Sequence, residues 1–332
     1  MPIRSKEFKT RLSETTGLSD SAISAAWPEW WSDAADVSPS AQAELRFSIA
    51  RKLGLDPTSL LDEGSPHFIW DDSAKYKNFT GDTKRERPAI TSFGVSLSRM
   101  VVKGVSDQFE LVGMTATKLR ESLLAKQPFV RLQDLLVLLW GIGVPVIHLR
   151  VHPLNAKRIC AMAVRVGKRS AILLAKDSQY PAPIAFHLAH EIGHIALGHV
   201  TDDGGLVDME DTAEHVNSDD PEETAADRYA LELLTGDPNF DVVKQGQGHN
   251  PKQLALESLQ KGPQSQIEPG TLALCYGHTT GEWGTAQAAL SHIYSKPIPV
   301  WEVVNMIANQ QIHWDALNDE NTSFVKAVMG GI

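Results

Sequence analysis

Along the chain the spacing of apolar residues changes period several times, and each change marks an element. In "SPSAQAELRFSIARKLGLDPTSLL" (38–61), Ala43, Phe47, Ile49 and Leu53 suit one apolar face of a helix that stops at Gly54. Residues 1–62 as a whole read as short helices. The segment "SPHFIWDDSAKYKNFTGDTKRERP" is polar and rich in turn formers, as a linker is. Helical spacing returns around 90–105, 115–126 and 130–140. In "GIGVPVIHLRV" it gives way to strand character, with Val144, Val146, Ile147 and Val151. "KRICAMAVRVGKRSAILLAKD" reads as a hairpin of two apolar strands joined at Gly167-Lys168.

Two helices follow the hairpin. The first carries Ile184, Phe186, Leu188, Ile192, Ile195 and Leu197, with Pro183 in its first turn and Gly198 as its C-terminal cap. In the second, "SDDPEETAADRYALELLTG", Asp220 is the N-cap, Pro221 the first helical residue and Gly236 the stop. Toward the C-terminus "GTAQAALSHIY" and "VWEVVNMIANQQIHW" look helical, and "PGTLALCYGH" suits a strand or turn. The expected fold class is α+β, predominantly helical, with a small antiparallel or mixed sheet and helical N- and C-terminal parts. Four regions are expected: a helical 1–62, a linker with helices at 63–128, a region at 129–240 that holds the hairpin and the two helices after it, and a mostly helical 241–332.

A formal net charge of −10 argues against a surface that coats nucleic acid. Cys160 and Cys275 are too few and too far apart for a disulfide framework, and neither sits in a CxxC pair. The start, "MPIRSKEFKTRLSETTG", has no apolar signal-peptide core, and the run Leu135 to Ile147 is too short to span a bilayer. A soluble, cytoplasmic protein without membrane partners is expected. In the N-terminal region "ARKLGLDPTSLL" resembles the end of a repressor-type helix-turn-helix, with "TGLSDSAIS" as its first turn. Where a recognition helix belongs, however, stands "AAWPEWWSDAADV", with Pro28 and three tryptophans. Two readings stand here, a small helical interaction domain and a DNA-binding module.

The densest chemistry lies in "FHLAHEIGHIALGH" (186–199). His190 and His194 are four apart, so both imidazoles leave the same helix face one turn apart and can reach one Zn²⁺. Glu191 follows the first of them, placed to act on a water as general base. This is HExxH, a pattern with a mechanism. The apolar surroundings would make unpaired imidazoles costly, which favours coordination over chance.

A catalytic zinc usually takes three protein ligands and keeps one open position. Gly198 and His199 fall at the wrong offsets for a third histidine of the HExxHxxGxxH type. A glutamate from the following helix remains. Glu223 is the candidate ligand, and Asp227, four residues on, is placed to orient a ligating histidine. Two alternatives stand beside it: Glu223 as the partner in a capping box with Asp220, and Glu222 as the ligand in a shifted register. His187 suits a place beside a ligating histidine or at the surface better than coordination, and His199, past the helix end, suits a cap or surface place. His215 lies in an acidic connection, "DDGGLVDMEDTAEHVNSDDPEE", that reads as a solvated loop or as a lid favouring basic substrates.

These motifs together resemble the ImmA/IrrE-type metallo-endopeptidases, a gluzincin-like family. The resemblance covers about residues 130–240 and rests on "GIGVPVIHL", "RSAILLAKD", "FHLAHEIGHIALGH" and "EETAADRYALELL". The last matches the family's E-x-x-A-[ND]-x-[FY]-A segment, with Glu223 at the ligand position. His187 departs from the family, which more often has a small hydroxyl residue there. The resemblance implies a zincin-like catalytic domain at 129–240. It also implies a zinc-dependent endopeptidase that cleaves a partner protein such as a transcriptional repressor or antitoxin-like protein. In this family a repressor-type DNA-binding unit often accompanies the protease, in stress response or mobile-element transfer.

The chemistry expected is peptide hydrolysis with Glu191 as general base. An exposed strand of the 158–175 hairpin would hold the substrate by strand addition. Tyr229, His215 and His278 are candidates for stabilising an oxyanion or contacting substrate. The competing classes are a catalytically silent regulator whose metal domain senses or docks a partner, and a DNA-binding repressor.

Overall fold

The computed structural model describes residues 5–61, 65–70, 74–76, 83–106, 109–155, 159–200, 204–209, 220–242 and 250–331. Among these the fold is α+β and predominantly helical, with one mixed five-stranded sheet in the order β1-β5-β3-β4-β2. The strands are β1 (Ala74–Tyr76), β2 (Val146–His148), β3 (Ile159–Val166), β4 (Arg169–Leu174) and β5 (Gly205–Met209). The hairpin turns at Gly167-Lys168 as expected, but neither of its strands is an edge. β3 is paired by β4 and β5, and β4 by β3 and β2. Strand addition to this hairpin is therefore blocked, because the ladder groups a peptide would need are already used. One edge is β1, which falls inside the expected linker and runs parallel to β5. The acidic connection contributes β5, while His215 and the rest of 210–219 lie outside the described residues.

Alternation along the central strands sends side chains to two separate cores. Met162, Val164 and Leu173 face α5 (Thr83–Val101), where Ile90, Phe93 and Leu97 are buried. The same core takes in α1 (Ser5–Thr16), α2 (Asp20–Ala26), α3 (Pro39–Leu53) and α14 (Asp319–Val328), through Leu12, Ile23, Leu45, Ile49 and Phe324. The N-terminal helices are thus packed into the body of the protein. Glu320 of α14 ties them further, accepting from Trp30 Nε1 (2.7 Å) and Ser48 Oγ (2.7 Å). Lys52, almost wholly buried, lies 3.6 Å from that carboxylate and donates to the Ala26 carbonyl.

The inward face of α3 is Leu45, Ile49, Lys52 and Leu53, and Phe47, expected inside, is 47% exposed. Ile49 and Leu53 face inward as expected, while tertiary packing puts Leu45 and Lys52 beside them in place of Phe47. Residues 27–37 form turns and a short 3₁₀ segment, Ala35–Val37, in the place of a recognition helix.

The opposite face of the sheet presents Ala161, Ala163, Ile172, Leu174 and Leu206. Over it pack α7 (Leu132–Gly141), α8 (Pro181–Ala196) and α9 (Pro221–Thr235), with α6 (Ala116–Leu124) against α9. A third, smaller core joins α10 (Pro251–Gln264), α11 (Pro269–Thr280) and α12 (Trp283–Ile293). This unit abuts the start of α8, where Tyr180 stacks on Tyr294. Segment 269–278 is helix α11, not strand or turn. Glu268 caps its first turn by accepting from the Thr271 amide (2.7 Å), and Pro269 opens it, so its end signals outweigh its β-leaning composition. Among the described residues no helix is long and apolar enough to cross a membrane. Cys160 and Cys275 are both buried.

His148 of β2 is completely buried, its ring nitrogens facing the carbonyls of Leu149 (3.1 Å) and Lys176 (2.9 Å). Burial is the largest influence on it. That burial outweighs these carbonyls and Asp177 and holds its pKa below the ordinary value. The unfolded chain then binds this proton near pH 6.5 and the native state only at lower pH. Stability from this group is complete above that value and declines as pH falls toward the native pKa. The thermal-midpoint difference between about pH 7.5 and about pH 5.5 should shrink in His148→Gln. Phe324, fully buried 6.1 Å from Phe93, is central to the shared core. Phe324→Ala should cost about 3–5 kcal/mol in urea unfolding.

Candidate metal centre

Helix α8 begins at Pro181, two residues before the expected first-turn proline, and runs to Ala196. Its apolar face anchors on the sheet through Ile184, Leu188, Ile192 and Ile195, which fixes its rotation. His190 and His194 therefore project toward α9. That second helix is built as its sequence suggests. Asp220 accepts from the Glu222 amide (2.9 Å), Pro221 occupies the first turn, and Gly236 ends the helix in the left-handed region.

Between the two helices three side chains converge. His190 Nε2 and His194 Nε2 are 2.8 Å apart, Glu223 Oε1 is 3.0 Å from His194 Nε2, and Glu223 Oε2 is 3.6 Å from His190 Nε2. Their relative exposures are 5%, 0% and 9%, so water screens little of what they feel. This buried His-His-Glu cluster is able to hold a metal ion. Bonds of about 2.0–2.1 Å to a tetrahedral zinc place its ligands about 3.3 Å from one another, inside the spread of these separations.

The hydrogen bonds behind the ligands support the same arrangement. His190 Nδ1 donates to Asp227 Oδ1 at 2.8 Å, leaving the lone pair on Nε2. Two imidazoles and a carboxylate then turn acceptor atoms on one point, and a cation there converts mutual repulsion into attraction.

The alternatives left open for α9 resolve as follows. The cap is Asp220, and the Glu223 carboxylate lies against the histidines. Glu222 points elsewhere, held by Lys75 of β1 at 2.8 and 2.9 Å. Glu191 is fully buried on α8, between the two histidine positions in sequence. His187 is half-buried with its ring against Phe186 and is not one of the converging donors. Of the groups considered for an oxyanion, Tyr229 donates its hydroxyl to the Met114 carbonyl (2.9 Å), and burial pushes its pKa up. His278 is exposed on α11 beside Trp283. Neither is brought to the cluster, and His215 is outside the described residues.

One participant lay beyond the expectations. His199 was expected as a cap or surface group, yet its Nδ1 lies 2.8 Å from His194 Nδ1. The signal was the Gly198-His199 pair, whose role depends on the turn after the helix.

Gly193 explains how two helices come close enough to share a site. A Cβ there would lie 3.1 Å from Tyr229 Cβ and 3.2 Å from the Ala226 carbonyl oxygen, tighter than ordinary contact. The second variable position of HEIGH is thus a packing position. Comparison of the chain with protein-family models, with curated proteins and with solved structures finds no match.

Gly193→Val should force α9 outward and weaken zinc binding, measured by chelator competition, while far-ultraviolet circular dichroism stays helical. Asp227→Asn keeps the shape but removes the anionic acceptor, and should weaken zinc affinity about 10–100-fold.

Proposed function

We propose that the protein is a zinc-dependent endopeptidase. The observation that carries this reading is the buried convergence of His190, His194 and Glu223 on one point, with Glu191 on the same helix as both histidines. His190 and His194, through Nε2, and the Glu223 carboxylate would hold the ion. When bound, zinc supplies Lewis-acid polarisation of a scissile carbonyl and acidifies a water to a pKa of about 7.

The chain's own groups do the rest. Glu191 accepts the water proton on its carboxylate and returns it to the departing amine. Asp227 holds the His190 ring in the tautomer that presents Nε2. A His-His-Glu donor set with a neighbouring carboxylate matches hydrolytic zinc sites better than structural ones, which commonly use thiolates and four protein ligands.

The resemblance to ImmA/IrrE-type peptidases supports a protein substrate, a transcriptional repressor or antitoxin-like protein, in a cytoplasmic setting. DNA binding gains no support from the fold. Residues 27–37, turns and a short 3₁₀ segment, carry Glu29, Asp33 and Asp36, and the neighbouring helices are occupied with the shared core.

Glu191→Gln should reduce cleavage of a co-expressed repressor-like partner about 10²–10⁴-fold by intact-mass analysis. Zinc content and thermal midpoint should remain those of the parent. Undiminished cleavage in that variant would remove Glu191 from the chemistry and the peptidase reading with it.

A further inference from the structure

We propose that His199 is a positioning residue for the metal, holding His194 as Asp227 holds His190, and that it is put in place by the turn that ends α8. The inference rests on the metal-centre reading but not on peptidase activity. Helix α8 stops at Ala196, and Gly198 follows with φ of +75°. This left-handed step is the usual way a helix ends, and it folds the chain back so that the next amide reaches a carbonyl of the last turn.

Here that amide belongs to His199, and it donates to the His194 carbonyl oxygen at 2.9 Å. The imidazole of His199 is returned to the same residue, Nδ1 to Nδ1 at 2.8 Å. Backbone and ring thus grip one ligand from one residue. Its ring is half-buried, 5.1 Å from the His194 ring between centroids.

The proton in this contact has one consistent location. His194 Nε2 faces His190 Nε2 and Glu223, so ligation uses its lone pair there. A neutral His194 must then carry its proton on Nδ1 and donate it to His199 Nδ1. His199 in turn carries its own proton on Nε2.

The two ligating histidines are therefore supported unequally. One has an anionic acceptor from α9, a separate element. The other has a neutral acceptor from its own helix end. The sequence form of the device is a ligating histidine followed, four and five residues on, by Gly-His. The glycine allows the turn, and the histidine exploits it.

The test measures metal binding directly. Zinc affinity by chelator competition, and the visible spectrum of the cobalt-substituted protein, are compared for parent, His199→Leu and His199→Asn. Asn keeps an acceptor at the Nδ1 position and Leu removes it. His199→Leu should lose about 10–100-fold in affinity and shift the cobalt bands, while His199→Asn stays within a few-fold of the parent. Because the Leu variant can be lost to misfolding, nitrogen-15 histidine spectra of the parent at neutral pH give an independent measurement. These should show His194 protonated on Nδ1 and His199 on Nε2. Unchanged affinity in His199→Leu, equal losses in Leu and Asn, or the opposite tautomers would each overturn the assignment. A parent protein that binds zinc normally yet cleaves no partner would instead count against the peptidase reading alone.

Discussion

The close approach of α8 and α9 at Gly193 is the constraint on which the site depends. A side chain at that position would meet the backbone of Ala226 and the Cβ of Tyr229, so the helices share this line only because it is bare. Everything chemically distinctive follows from it. Glu223 and Asp227 leave the facing side of α9 one turn apart and meet His190 and His194, which leave α8 with the same spacing. The sheet beneath prevents either helix from rolling, because Ile184, Leu188, Ile192, Ala230 and Leu233 belong to one core with the inner strands.

Burial gives the arrangement its chemical meaning. Donor atoms crowded at 2.8–3.6 Å with almost no exposure are unfavourable without a cation, since solvent cannot spread their charge. The crowding of these donor atoms is what gives the cluster its capacity for a metal ion. Asp227 contacts the Nδ1 of His190 and His199 the Nδ1 of His194, which leaves both Nε2 atoms toward Glu223.

The N-terminal helices belong to a different core from the site. They pack with α5 and α14 on the far face of the sheet, and Glu320 draws Trp30, Ser48 and Lys52 to the C-terminal helix. Two segments far apart in sequence are thus parts of one body, and the sheet lies between that body and the candidate metal centre. The strands between them, β3 and β4, are buried along most of their length.

How much of this was legible beforehand depends on whether the information is local. The hairpin at Gly167-Lys168, the cap-to-stop span of α9 and the i, i+4 histidines were readable, because turn, cap and helix periodicity act over a few residues. The third donor was readable as Glu223, with Glu222 as its rival and the Asp220 cap as its alternative partner, since adjacent acids in a string do not fix register. Cap, Lys75 partner and donor were separated by where α9 lies against α8 and β1. Phe47 turned outward, β1 formed within an apparent linker, and segment 269–278 became a helix, because packing and end-capping outweigh residue preference in such places. By itself the sequence determined which side chains were available for metal chemistry and the helical spacing of two of them. Tertiary structure alone decided which acid completes the set and which histidine stands behind it, since convergence is a relation between separate elements that no local rule encodes.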